Sequence, residues 1–384
     1  MSGLYVHIPF CVRKCLYCDF YSLPTGKGAL PGRLAQPDAH DASLFLDALA
    51  REFKQLPDHF VPDTIFIGGG TPTELSDRDF QWLLDLVAST VDLSRVTEWS
   101  CESNPGTLTA AKARMMREAG VNRVSLGVQS FNSAALEFLG RIHSAEEAEA
   151  GYHLLRDHGF TNINLDLMYG VPGVPIETVE SDVRKLIELS PDHAACYCLI
   201  FEDGTPLTEL RNKGFVKEVD DDRELDQYTR VRDLLGAAGY RHYEISNFSR
   251  PGRECRHNLL YWGPGEYIGC GPSAHSHWQG KRFGNIRNLD QYCDHMLKGE
   301  STRAFEEQLD PAARAREALV MGLRRLEGIS RDQFRADTAF DYRELCGDSL
   351  SWLCEEGLLE EKDNRLRLTA RGLFVSDGVF AELV

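Results

Sequence analysis

No run of about 18 apolar residues occurs in the 384-residue chain, so no membrane-spanning helix is expected. Basic residues are few: 42 Lys and Arg stand against 59 Asp and Glu, a formal net charge of −17. A chain this acidic is a poor match for a phosphate backbone, which argues against general nucleic-acid binding; solubility is the plain consequence of the charge. The first residues lack a basic segment leading into an apolar stretch. Leu4-Tyr5-Val6-His7-Ile8 already reads as a strand, so no secretory leader is expected and the cytoplasm is the expected compartment. A disulfide framework is missing as well. The 11 cysteines are odd in number and unevenly spread, as in chains whose thiols serve metals or sit in a core under reducing conditions. There is neither an internal repeat of solenoid period nor a low-complexity tract. What remains is an ordinary composition, 42% hydrophobic and 26% charged, in a length that fits one large domain and a smaller one.

Three of the thiols stand close together. In Cys11-Val12-Arg13-Lys14-Cys15-Leu16-Tyr17-Cys18 they are separated by three residues and then by two, one thiol short of a closed tetrahedral site. Iron–sulfur clusters are normally held by four thiolates, so a triplet points to a 4Fe–4S cluster with one iron left for a ligand that is not protein. Spacing alone also allows a zinc site with His7 as its fourth ligand.

Beyond the triplet, the Gly- and Pro-rich stretch from about 23 to 38 is expected to form a loop, either a lid over the cluster or plain surface. A helix is predicted from about 43 to 56, with Phe45, Leu49 and Phe53 on one face. A buried strand follows at 64–67, then a helix capped by Ser76 with Phe80, Leu83, Leu84 and Val87 turned inward. The rhythm repeats, with strands near 97–102, 123–128, 161–168 and 193–200. Helices are predicted near 109–119, after a Ser144/Glu147 capping box, near 176–189 and near 222–238. With the first strand this makes six βα units in series, the pattern of a parallel sheet. A doubly wound sheet and a barrel both remain open on pattern alone. After a strand at 241–245, residues 246–280 read as irregular. From about 305 the order helix, helix, short strand, helix predicts a small winged-helix-like domain. Its 17 acidic and 11 basic residues suit docking on the barrel or on a protein partner better than DNA reading. The expected units are therefore 1–245, 246–304 and 305–384.

The chemically suggestive residues fall at the C-terminal ends of the predicted strands, where active sites of parallel βα folds lie. The second strand ends in Gly69, Gly70 and Thr71, where glycine lets backbone approach a ligand. The third ends in Glu102, whose carboxylate suits ribose hydroxyls or an ammonium group, or a helix start. The fourth leads to Gln129, a donor and an acceptor at once, and on to Arg141, a carboxylate clamp. The fifth carries Asp166. Further on, His257-Asn258-Leu259-Leu260-Tyr261-Trp262 sets a histidine beside two aromatics; by itself that is a core-packing pattern, or a haem contact. Cys196 and Cys198 alternate in a strand and read as core thiols.

Tyr5-Val6-His7-Ile8-Pro9-Phe10 before Cys11, and Tyr17-Cys18-Asp19-Phe20 at the end of the triplet, make this segment resemble the radical SAM superfamily. More closely it resembles the oxygen-independent coproporphyrinogen III oxidase-like branch, and within it the haem chaperones. The resemblance favours an α/β fold, an incomplete six-unit (βα) barrel. It implies a 4Fe–4S cluster on Cys11, Cys15 and Cys18, with S-adenosylmethionine (SAM) on the open iron. It implies that Tyr17 lies near the adenine, and that Tyr5, Gly69, Gly70, Thr71, Glu102, Gln129, Arg141 and Asp166 match SAM-binding positions. The HNxxYW motif at His257 is implicated in haem handling in the chaperones, with Cys255, His275 and His277 as further candidate ligands. The expected partners are haem and an acceptor haemoprotein, which could be a membrane protein touched transiently. An oxidase acting on coproporphyrinogen III through reductive cleavage of SAM is the alternative. Against it, only ten residues precede Cys11, where the oxidases carry a long extension, and Phe20 stands where they have a further cysteine.

Overall fold

Alternation within each strand decides the layers. In the computed structural model, which describes residues 1–25 and 42–384, six parallel strands lie side by side. They are β1 (Ser2–Ile8), β2 (Thr64–Gly69), β3 (Glu98–Ser103), β4 (Arg123–Gln129), β5 (Ile163–Tyr169) and β6 (His193–Cys198). Successive side chains point to opposite faces of a sheet. One face carries Leu4, Val6 and Ile8 of β1, Ile65 and Ile67 of β2 and Val124, Leu126 and Val128 of β4, all fully buried. The opposite face carries Tyr5, Glu102, Arg123, Ser125, Asp166 and Tyr197, which line a cavity. The apolar face is covered by the crossover helices, and each buried aliphatic side chain there contributes roughly 1.5–3 kcal/mol.

Those helices are α1 (Ala42–Phe53), α2 (Asp77–Thr90), α3 (Ala110–Ala119), α4 (Ser133–Leu139), α5 (Ala145–Asp157), α6 (Ile176–Leu189), α7 (Pro206–Asn212) and α8 (Asp221–Ala237). Local chemistry starts them where the sequence predicts. The Ser76 hydroxyl accepts the Asp79 N–H at the head of α2, and Phe80, Leu83, Leu84 and Val87 are its buried face. Ser144 and Glu147 form a complete capping box at α5. Helices α4 and α7, seven residues each, went unpredicted because two turns are too few to show a period. The incomplete six-unit α/β barrel expected from the sequence is the observed fold. The loop expected at 23–38 lies, beyond Thr25, outside the described residues.

The sheet continues past those six strands. At one edge β7 (Arg241–Glu244) and β8 (Asn247–Ser249) add antiparallel strands next to β6. At the other edge β9 (Glu266–Cys270) runs parallel to β1, followed by antiparallel β10 (His275–Trp278), β11 (Lys281–Asn285) and β12 (Arg303–Glu307). The order is β12-β11-β10-β9-β1-β2-β3-β4-β5-β6-β8-β7. The expectation of an irregular stretch at 246–280 is thereby corrected. It contains β8, helix α9 (Arg256–Tyr261), β9 and β10. These pieces are too short to show a period, and pairing with β1, more than 250 residues away in sequence, is what orders β9.

Helix α10 (Leu289–Lys298) closes this edge against α1, where the Tyr292 hydroxyl donates to Glu52 at 2.6 Å. The C-terminal unit then runs α11 (Pro311–Leu323), β13 (Ile329–Ser330), α12 (Arg331–Thr338), α13 (Tyr342–Glu355), β14 (Leu359–Lys362) and β15 (Arg365–Leu368). Helix–strand–helix–helix–strand–strand with an antiparallel β13-β15-β14 sheet is a winged-helix order. It sits against the barrel: the Leu326 N–H donates to the Tyr243 carbonyl at 3.1 Å, and the Arg324 guanidinium lies 4.5 Å from the centre of the Trp262 ring. Among the described residues no helix is long and apolar enough to cross a membrane.

Candidate functional site

The cysteine segment is held over the strand ends by its backbone. The Leu16 N–H donates to the Leu139 carbonyl at 3.4 Å, and the Leu16 carbonyl accepts from Leu207 at 2.9 Å. The Cys11 carbonyl accepts from Thr25 at 2.8 Å. The loop therefore presents its thiols without relying on them. Cys11, Cys15 and Cys18 all line a cavity of about 680 Å³ that continues down the polar face of the sheet. That is an ordinary size for a cofactor site.

A relay of hydrogen bonds joins two of the thiols. Cys11 Sγ lies 3.4 Å from Thr71 Oγ1, which accepts from Asn104 Nδ2 at 2.7 Å. Asn104 Oδ1 accepts from Arg141 Nη2 at 2.5 Å, and Arg141 Nη1 reaches Cys15 Sγ at 3.4 Å. Arg141 also donates to the Gly127 carbonyl at 2.6 Å, while its Nε is buried without a partner among the described residues. Burial pushes the Cys18 thiol up to about 12, with Cys15 and Cys11 adding repulsion, and burial also raises Cys11. Thiolates at Cys11 and Cys18 call for a compensating cation, as iron would be.

Among the described residues no three His, Cys, Asp or Glu side chains converge on one point as a single-metal site requires. The zinc alternative fails at His7 too. Its Nε2–H donates to the Tyr21 carbonyl at 2.8 Å, so its other nitrogen, Nδ1, is the acceptor, taken by the Tyr5 hydroxyl at 3.0 Å. No lone pair is left for zinc. A multi-iron cluster, which takes each thiolate at a different iron, asks for no such convergence.

Below the thiols the strand ends bring the remaining candidates into the same cavity: Tyr5, Tyr17, Gly69, Gly70, Thr71 and Glu102, with Gln129, Arg141 and Asp166 opposite. Gly70 has room only for hydrogen, since a Cβ there would lie 2.5 Å from the Phe10 carbonyl oxygen. Gly69, at φ +101°, adopts a backbone that favours glycine. Its N–H donates to Glu102 Oε2 at 3.0 Å. Gln129 is held at φ +69°, an uncommon backbone for a non-glycine residue, where the β4–β5 register shifts, and it lines the cavity with Arg123 and Ser125 of the same strand. Burial, aided by nearby Asp166, pushes the Glu102 carboxyl up to about 7. Burial likewise pushes Asp166 up to about 6 against Asn164, whose amide donates to it at 2.6 Å, and against Arg123 and Arg141. Two costly carboxyls facing one cavity suit a cationic or hydroxyl-rich ligand.

Glu102→Gln accordingly has a signed effect on the ligand-free protein. A carboxyl whose folded pKa is raised from 4.5 to about 7 contributes its stability fully below about pH 4.5 and loses it as pH rises through 7. Glutamine still offers Gly69 an acceptor. The variant is expected to be more stable than the parent by about 1–3 kcal/mol at pH 8 and equal to it near pH 4.5. Thermal melts at the two pH values check this, and equal melting differences at both would remove Glu102 as the titrating group.

Three cavity residues escaped the sequence reading. Asn104 bridges Thr71 and Arg141, and its position beside Glu102 was the available signal. Arg123 is 2% exposed and its Nε has no partner among the described residues; charge at a strand start gave no sign of facing a cavity. Cys198, read as a core thiol with Cys196, lines the cavity, whereas Cys196 is buried.

The HNxxYW motif folds as α9, and its histidine is not offered as a ligand. His257 is fully buried, with Nδ1 2.8 Å from Thr64 Oγ1 and Nε2 2.8 Å from the Tyr261 hydroxyl. Its ring stacks on Phe66, and burial pushes its pKa down to about 3. Both ring nitrogens are occupied, and the residue lines the first cavity. Cys255 is buried against Glu98, and His275 is exposed with its ring edge to Phe305.

Residues 5–186 match the model of the radical SAM superfamily, and residues 309–375 that of the HemN C-terminal domain. Heme chaperone HemW of Lactococcus lactis is 36% identical over 100% of this chain and 97% of its own length. Heme chaperone HemW of Escherichia coli is 37% identical over 96% of this chain and 94% of its own. The solved structure of coproporphyrinogen III oxidase (HemN) from Escherichia coli, a radical SAM enzyme, superposes with a TM-score of 0.84 at 22% identity. It covers 100% of this chain and 89% of that one, a likeness of fold. Cysteine triplet, cavity and full-length relatives agree: this chain belongs to the HemW family of the radical SAM superfamily.

Proposed function

We propose that this protein is a haem chaperone that carries a 4Fe–4S cluster and SAM and passes haem to an acceptor haemoprotein in the cytoplasm. The observation that carries the reading is full-length similarity to relatives described as heme chaperones, in a chain that keeps the triplet and HNxxYW. Cys11, Cys15 and Cys18 would hold the cluster. Glu102, Asp166, Gln129 and Arg141 would orient SAM, whose sulfonium and ribose suit the acidic wall. When bound, cluster and SAM together supply one-electron chemistry. Phe20 stands at the cavity rim, 68% exposed, where the oxidases' extra cysteine would be. The residues contribute binding, orientation and exclusion of water.

The expected result is a saturable Soret band when the anaerobically reconstituted protein is titrated with haemin, followed by loss of that band to an added apo-haemoprotein. Turnover of coproporphyrinogen III with no haem binding would replace this reading with the oxidase one.

A further inference from the structure

A second cavity, of about 690 Å³, lies between the β9–β11 edge of the sheet and the C-terminal unit. The far end of the HNxxYW motif, Tyr261 and Trp262, forms part of its wall. We propose that haem binds in this second cavity, with His277 Nε2 as the iron ligand. The proposal rests on the haem-binding reading above and assigns it a place.

The state of His277 is the first argument. Its Nδ1 lies 3.2 Å from the Gly265 carbonyl, which can only accept, so Nδ1 carries the proton and Nε2 the lone pair. Nε2 makes no hydrogen bond to any described residue. A ligating histidine usually donates its other ring N–H to a carbonyl or carboxylate, which fixes tautomer and orientation. His277 is half-buried and lines the cavity. His257 presents the opposite case, buried with both nitrogens engaged.

Shape and charge fit the same ligand. Trp262, Tyr267, Met321 and Phe334 provide apolar and aromatic wall for a flat macrocycle. Arg282 is paired with Glu317, and Arg325 and Arg365 with Glu327. Arg314 also lines the cavity and makes no ion pair among the described residues. Its Nη1 would lie 3.3 Å from a Cβ at Gly280, so it reaches the hairpin that carries His277. A propionate meets this arginine without breaking an existing pair.

Lining separates the two cavities by task. The first, at about 680 Å³, presents the three thiols and the carboxyls of Glu102 and Asp166, the chemistry that a cluster and SAM would use. Tyr261 lines both cavities. Its hydroxyl bonds to His257, and its ring stands edge-on to Tyr267 with centroids 4.6 Å apart. Tyr267 lies 6.3 Å from the His277 ring. His257 is therefore a positioning residue that steadies the partition, while His277 is the ligand.

The test is haemin titration of the reconstituted full chain, read as difference spectra and by electron paramagnetic resonance. The forms compared are the parent, His277→Ala, His257→Ala and Arg314→Glu. His277→Ala is expected to lose the parent's axial-ligand signature and about tenfold in affinity, with added imidazole restoring the signature. His257→Ala and Arg314→Glu are expected to bind more weakly while keeping that signature. If the parent binds haem and His277→Ala matches it in spectrum and affinity, the site is elsewhere and the chaperone reading stands. If imidazole restores nothing to a His277→Ala protein that has lost the signature, the ligand assignment is wrong. If the parent takes up no haem, both readings fall.

Discussion

Cys15→Ser is expected to give a folded protein without a brown chromophore. The cluster would have only three protein thiolates, so removing one leaves two ligands and a second iron without protein support. Cys15 also receives the Arg141 guanidinium at 3.4 Å, and a serine hydroxyl cannot supply the thiolate that this cation faces. The loop itself should survive, because its backbone bonds to Leu139 and Leu207 involve Leu16 and not the thiol. After anaerobic reconstitution, absorbance at roughly 400 nm and bound iron should fall close to zero while the far-ultraviolet circular dichroism stays that of the parent. Full iron content with an unchanged spectrum would sink the ligand assignment.

Glu98→Ala should unmoor the HNxxYW helix. Glu98, 3% exposed at the start of β3, accepts the N–H groups of Arg256 at 2.9 Å and His257 at 3.0 Å. Helix α9 has only six residues and cannot sustain itself, so this carboxylate anchors its first turn. The same carboxylate helps compensate the buried Arg123 cation. Alanine would leave two buried backbone donors without their acceptor and weaken the compensation of the Arg123 guanidinium, at a cost of about 3–5 kcal/mol. Urea unfolding checks this. Glu98→Gln, which keeps one acceptor, should fall between the parent and alanine. A Glu98→Ala protein within about 0.5 kcal/mol of the parent would show that packing on Phe66 and Tyr261, not the anchor, holds α9.

The barrel was legible because its signals are local. Six apolar strands alternate with helices long enough to show their period, and the Ser76 and Ser144 caps mark two helix starts within a few residues. The added edge strands were not legible. Segments such as β9 and β10 hold five and four residues, and their order comes from pairing with β1 and with each other. The winged-helix unit was legible in outline, since α11 and α13 are long, while its short strand β13 exists only through β15.

The candidate site divides in the same way. Spacing by itself singled out Cys11, Cys15 and Cys18, because ligands on one short loop are neighbours in sequence and in space. Position at strand ends singled out Gly69, Glu102, Gln129 and Asp166, because a parallel sheet gathers its C-terminal loops at one end. Tertiary structure alone decided what each nitrogen and oxygen does. It placed Asn104 between Thr71 and Arg141, and turned Arg123 onto the cavity face. It closed both nitrogens of His257 and left Nε2 of His277 with its lone pair. A histidine's availability depends on partners such as Thr64 and Gly265, which lie 193 and 12 residues away, and on which of them can only accept a hydrogen bond.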